Sequence, residues 1–112
     1  MTSIQIAELI RTILEDKKAQ AIEIIEVSEK TILADYFIIA SGTSVTHVRA
    51  LSDEVSFQLK DKHQLTVKHI EGESTSRWIL MDYGDIVVHL FHPEERDFYS
   101  LDKLWQMSRI KS

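Results

Sequence analysis

The stretch Trp78-Ile79-Leu80-Met81-Asp82-Tyr83-Gly84-Asp85-Ile86-Val87-Val88-His89-Leu90-Phe91 decides the fold of this chain. Two apolar runs flank Tyr83-Gly84, and a two-residue loop with glycine second suits a type I′ hairpin turn. In that register Asp82 faces Asp85, Met81 faces Ile86, Leu80 faces Val87, Ile79 faces Val88 and Trp78 faces His89. Successive strand residues point to opposite faces. One face then carries Ile79, Met81, Ile86, Val88 and Leu90, all apolar. The other carries Trp78, Leu80, Asp82, Asp85, Val87, His89 and Phe91, a mixture. The apolar face is expected to pack beneath helices, and the mixed face to be half-solvated or covered by another element.

Upstream, Ile6, Leu9, Ile10, Ile13 and Leu14 fall on one helical stripe, which predicts a helix over 4–19. Thr2 with Gln5 three residues on resembles a capping box. Residues 22–27 and 36–40 read as strands, the second apolar enough at Phe37, Ile38 and Ile39 to be buried on both faces. Ser41-Gly42-Thr43-Ser44 is a turn, and Thr43 or Ser44 can cap a helix that runs to about residue 62 on Val48, Leu51, Val55 and Leu59. Residues 65–70 read as a third strand. After the hairpin, Pro93 suits the first position of a last helix, with Glu94 and Glu95 in its positive first turn. The order α-β-β-α-β-β-β-α defines an α/β fold: a single domain over 1–112, with a mixed β-sheet of about five strands and flanking helices.

Composition narrows the function. Apolar residues make up 44 %, which supplies one core in 112 residues. The chain has no Cys, so disulfides, thiolate zinc sites and a cysteine nucleophile are excluded. No run approaches the roughly 18 apolar residues of a membrane span, and Met1-Thr2-Ser3-Ile4-Gln5 lacks the features of a signal peptide. A cytoplasmic location, with no membrane partner, is the expectation. Thirteen basic against 18 acidic side chains leave −5, and the excess is uneven: residues 81–102 carry six acidic and one basic, residues 103–112 three basic and none acidic. An acidic hairpin region points to a basic partner surface or a cation, not to bare nucleic acid.

The candidate chemistry is sparse. Asp82 and Asp85 across a turn could hold a hard cation, but aspartates there more often satisfy turn backbone groups. None of His47, His63, His69, His89 and His92 makes the helical pair of a zincin, so neither metal nor cofactor is expected. Ser41, Thr43 and Ser44 lie where an activated serine would sit, with His47 nearby, but the nucleophile-elbow glycines are absent and the residues read as caps. A phosphate could rest on the amides after Gly42, which keeps nucleotide binding at Gly42 to His47 as an alternative. Trp78, beside Leu80, His89 and Phe91, reads either as a core residue beneath a helix or as an interface anchor.

Three motifs carry a family resemblance. Ala34-Asp35-Tyr36-Phe37-Ile38-Ile39-Ala40-Ser41-Gly42-Thr43-Ser44 followed by His47-Val48 resembles the ribosomal silencing factor, or Iojap-like, family. So do the hairpin from Trp78 to Phe91 and the ending Pro93-Glu94, Arg96, Phe98-Tyr99, Leu101 and Leu104-Trp105. The resemblance covers about residues 20 to 106. It implies a nucleotidyltransferase-like mixed sheet without enzymatic activity. It also implies binding to the large ribosomal subunit through that subunit's ribosomal protein fourteen, which blocks joining of the small subunit and lowers translation when nutrients are short.

Nucleotidyl transfer would need paired carboxylates on the strand after the Gly-Ser turn, and residues 65–70 contain no Asp or Glu. The resemblance together with charge and alternation names Trp78, Leu80, Asp82, Asp85, His89, Tyr99 and Trp105 as partner-binding residues. Val45-Thr46 stands where many members have Ser-Arg, which weakens any minor rRNA contact, and Ser76-Arg77 replaces a small or acidic pair. A homodimer is a further expected partner state, through the last helix or an uncovered sheet face.

Overall fold

Thr2 opens the first helix with the reciprocal capping box that its spacing predicts. The Gln5 N–H donates to Thr2 Oγ1 at 3.3 Å, and the Thr2 N–H donates to Gln5 Oε1 at 2.9 Å. In the computed structural model, which describes residues 1–32 and 34–94, this helix, α1, spans Ser3–Asp16. It is followed by β1 (Gln20–Glu26), β2 (Tyr36–Ser41), α2 (Val45–His63), β3 (His69–Glu71), β4 (Trp78–Asp82) and β5 (Ile86–Phe91). Helix α1 stops three residues before the expected end. Lys18 turns left-handed at φ 67°, and the Ala19 N–H returns to the Leu14 carbonyl at 3.0 Å. No glycine marks this exit, so the sequence carried no stop signal there.

The five strands form one mixed sheet in the order β1-β2-β5-β4-β3, with β2 parallel to β5 and every other pair antiparallel. Strand β2 lies inside the sheet and is buried on both faces, as its unbroken apolar run requires. Both helices cover the same face. Ala7, Ile10, Ile13 and Leu14 of α1 and Val48, Leu51, Val55 and Leu59 of α2 pack on Ile38, Ala40, Ile79, Met81, Ile86, Val88 and Leu90. Each fully buried Leu or Ile there contributes about 1.5–3 kcal/mol. The apolar hairpin face is therefore the floor beneath the helices.

The hairpin register differs from expectation. Trp78 pairs with Phe91, Ile79 with Leu90, Leu80 with His89, Met81 with Val88 and Asp82 with Val87. The Tyr83 N–H donates to the Ile86 carbonyl at 2.9 Å, so the loop is Gly84-Asp85 and glycine comes first in it, at φ 90°. Positive φ at the first loop position is where a hairpin demands glycine when the second residue does not need it. Asp82 thus does not face Asp85. The slip is two residues in pairing, so the strand side chains from Trp78 to Asp82 and from Ile86 to Phe91 keep their expected faces, whereas Asp85, placed in the loop, leaves the mixed face on which it was expected.

The third strand is shorter than 65–70. Leu65 and Val67 do pack against the core. Leu65 nevertheless gives its N–H back to the Leu59 carbonyl at 2.9 Å after a left-handed Gln64, and only His69–Glu71 joins the ladder. This strand ends on a carboxylate, Glu71, which corrects the expectation that it has none. Glu71 is exposed, pairs with His69 Nε2 at 3.0 Å, and is separated from β2 by β4 and β5. Pro93 and Glu94 are helical. The rest of the expected last helix, including Tyr99 and Trp105, lies outside the described residues.

Candidate partner-binding face

The sheet face opposite the two helices is built by alternate residues of β1, β2, β5 and β4. Phe37, Ile39 and Phe91 are buried there with Val27 and Ala34, and Ile25, Val87 and Trp78 pack against them half-buried. Cross-strand register runs one row as Glu23, Ile39, His89, Leu80 and Glu71, and the next as Ile25, Phe37, Val87, Asp82 and His69. The middle of the face is apolar and aromatic. Carboxylates stand at both ends of the first row, and Asp82 stands near the end of the second.

Aromatic rings form a continuous layer in that middle. The Trp78 indole stacks on Phe91 with centroids 5.0 Å apart, and His89 meets Phe37 edge-on at 4.9 Å. Offset and edge-on ring pairs add about 0.5–1.5 kcal/mol beyond area burial. The Trp78 indole N–H donates to His89 Nδ1 at 3.3 Å. His89 is 4 % exposed, and burial pushes its pKa down to about 4, so the ring is neutral at ordinary pH.

Of the residues named from sequence, Trp78, Leu80 and His89 come together on this face, with Asp82 beside them. Trp78 and Leu80 are half-buried, which leaves part of each side chain at the surface. His89 lies behind them and cannot itself touch a partner. Asp82 Oδ1 accepts the Gly84 N–H at 2.7 Å, the backbone-satisfying role that aspartates take at turns. Asp85 sits off the face, at the hairpin tip. Ser3 Oγ, at the start of α1, donates to Asp35 Oδ2 at 3.0 Å and to Asp85 Oδ2 at 3.5 Å. Both carboxylates thereby lie at the positive end of α1, whose own first turn has no acidic residue. Glu94 pairs with Arg77 at 2.9 Å.

Sequence reasoning missed Phe37, Glu23 and Glu71 as members of this face. Phe37 had a signal in the two-sided apolar run. The two glutamates had none, because their place depends on which strands become edges.

The turn from Gly42 to His47 is a structural junction. Ser44 Oγ accepts the His47 N–H at 3.1 Å and caps α2. His47 Nδ1 accepts the Thr43 N–H at 2.8 Å, and its Nε2 lies 2.8 Å from the Lys17 carbonyl, to which it donates, tying the end of α1 to the start of α2. A Cβ on Gly42 would meet Val48 N at 2.8 Å and Val48 Cγ2 at 2.9 Å, so the helix start already fills the space beside this glycine. Ser44 acts as a cap, as the sequence suggested, whereas Ser41 ends β2 and Thr43 is held by His47. Among the described residues no group of three or more His, Asp or Glu could hold a metal ion, and no helix is long and apolar enough to cross a membrane.

Fold and face together define a small mixed α/β domain with α1 and α2 on one side of the sheet and an aromatic layer with an acidic rim on the other. Residues 1–112 match the family described as "Ribosomal silencing factor during starvation", and the chain belongs to that family. The ribosomal silencing factor RsfS of Bacillus subtilis is 42 % identical over 91 residues, covering 81 % of this chain and 76 % of the relative. The mouse protein named mitochondrial assembly of ribosomal large subunit protein 1 is 35 % identical over 103 residues, 89 % of this chain and 45 % of the mouse protein. A crystal structure of a Chromobacterium violaceum protein superposes with a TM-score of 0.87 at 35 % identity, covering 95 % of this chain and 88 % of that one. A Bacillus halodurans structure gives a TM-score of 0.81 at 33 % identity, covering 92 % and 95 %.

Proposed function

We propose that this chain binds the large ribosomal subunit in the cytoplasm through that subunit's ribosomal protein fourteen. There it occupies space that the small subunit needs, and so represses translation under nutrient limitation. The observation that carries the reading is the aromatic sheet face with half-exposed Trp78 and Leu80 between carboxylates, in a member of the ribosomal silencing factor family. Apolar anchors with acidic neighbours suit a basic ribosomal protein: the anchors supply affinity, and the charges supply orientation and on-rate. The name of the mouse relative, which places that protein in large-subunit assembly, supports the same choice of subunit. Blocking is steric and needs no reaction. We take the chain to be a binding protein without enzymatic activity, which agrees with Ser44 serving as the cap of α2 and His47 as a tie between Thr43 and Lys17.

The test is sedimentation of the chain with purified large and small subunits, with a subunit-joining assay on the same samples. Pelleting with large subunits alone together with fewer joined ribosomes is the expected result. Binding without loss of joining would discard the blocking step. Failure to pellet at low salt would discard the docking itself.

A further inference from the structure

The Trp78 indole N–H donates to His89 Nδ1 at 3.3 Å. A neutral imidazole that accepts at Nδ1 carries its proton on Nε2. That Nε2 is buried and has no hydrogen-bond partner. A buried donor without an acceptor works against folding, and native structures hold few of them. Phenylalanine would fill the same place, between Phe37 at 4.9 Å and Phe91 at 6.2 Å, with no such liability. What phenylalanine lacks is an acceptor for the indole proton.

We infer that His89 is a positioning residue, kept at a cost to folding because it holds the Trp78 indole in one orientation on Phe91. An indole stacked on Phe91 and tied at Nε1 has little orientational freedom left to lose when a partner arrives, and such preorganisation raises affinity. The same hydrogen bond turns the polar edge of the ring into the protein. The inference rests on the proposed docking for its functional consequence. The positioning itself is measurable in the isolated chain.

The experiment records the indole N–H resonances of the full chain by heteronuclear NMR in wild type, His89→Phe and His89→Gln. The Trp78 signal is assigned as the one lost in Trp78→Phe. Melting temperature and affinity for purified large subunits are measured on the same preparations. In His89→Phe the Trp78 resonance should move, the melting temperature should equal or exceed that of wild type, and affinity should fall roughly three- to tenfold, the worth of one hydrogen bond. His89→Gln, whose amide oxygen can accept the indole proton, should bring resonance and affinity back toward wild type. An unmoved resonance, a moved resonance with unchanged affinity, or a His89→Phe variant that melts lower or fails to fold would each overturn the inference. If wild type itself does not bind subunits, the docking proposal fails separately, and the resonances with the melting temperatures still decide the positioning.

Discussion

His89 is neutral because its surroundings cannot solvate a cation, and that has a consequence for stability. Burial lowers its pKa from the ordinary value of 6.5 to about 4. As pH falls below about 6.5 the unfolded chain takes up a proton that the folded chain still refuses, so stability falls until the folded pKa is reached. Above that window His89 adds no pH dependence. Between about pH 7 and pH 5 wild type should lose about 2 kcal/mol more stability than His89→Phe. Urea unfolding of both proteins at the two pH values checks this, and equal losses would show that His89 is not held neutral. Trp78 belongs to the same scale. Its type and place in the motif were legible in the sequence, and so was the choice between core and anchor. The outcome for burial, a half-buried ring, was not legible, because it depends on the register that sets Trp78 beside Phe91 and on the ring of His89.

At the scale of elements, the junction between β2 and α2 is tightly packed. Gly42→Ala would press a methyl group against Val48 N and Val48 Cγ2, and the backbone atom cannot swing aside. The variant should be destabilised by about 1–3 kcal/mol, read as a lower urea midpoint with an unchanged slope. An unshifted midpoint would mean that the start of α2 yields easily. Ser44→Ala removes the cap of the same helix and should cost about 1 kcal/mol in the same titration. Helix starts were readable from sequence because caps are local: Thr2 and Ser44 act within three residues. The end of α1 and the extent of β3 were not. Lys18 turns left-handed without a glycine, and Leu65 and Val67 pack half-buried against the core without joining the ladder. Apolar spacing reports burial, whereas a strand needs a neighbour to pair with.

At the scale of the molecule, the acidic excess is an arrangement rather than a stretch of chain. The sequence concentrated it in residues 81–102, yet Asp85 is set at the start of α1, and Glu23 and Glu71 enter the face from the sheet's two edge strands. Asp82→Asn tests the charge alone, since an amide oxygen can still accept the Gly84 N–H. Folding stability should stay within about 0.5 kcal/mol of wild type. Association with large subunits should slow, and its salt dependence should flatten. Stopped-flow association at two ionic strengths measures this, and identical rates would remove Asp82 from the docking surface.

The sequence by itself determined the α/β class, the capped helices, the central two-sided strand and the two faces of the hairpin. Each follows from periodicity and short-range hydrogen bonding, which neighbours along the chain settle between themselves. The tertiary structure decided the strand order, the hairpin pairing, the burial of His89 behind Trp78 and the origin of the acidic rim. Those depend on contacts between residues far apart in the chain: β2 lies beside β5, and His89 meets Phe37 across that boundary. Local preference does not choose such partners. Packing of the whole sheet against α1 and α2 does.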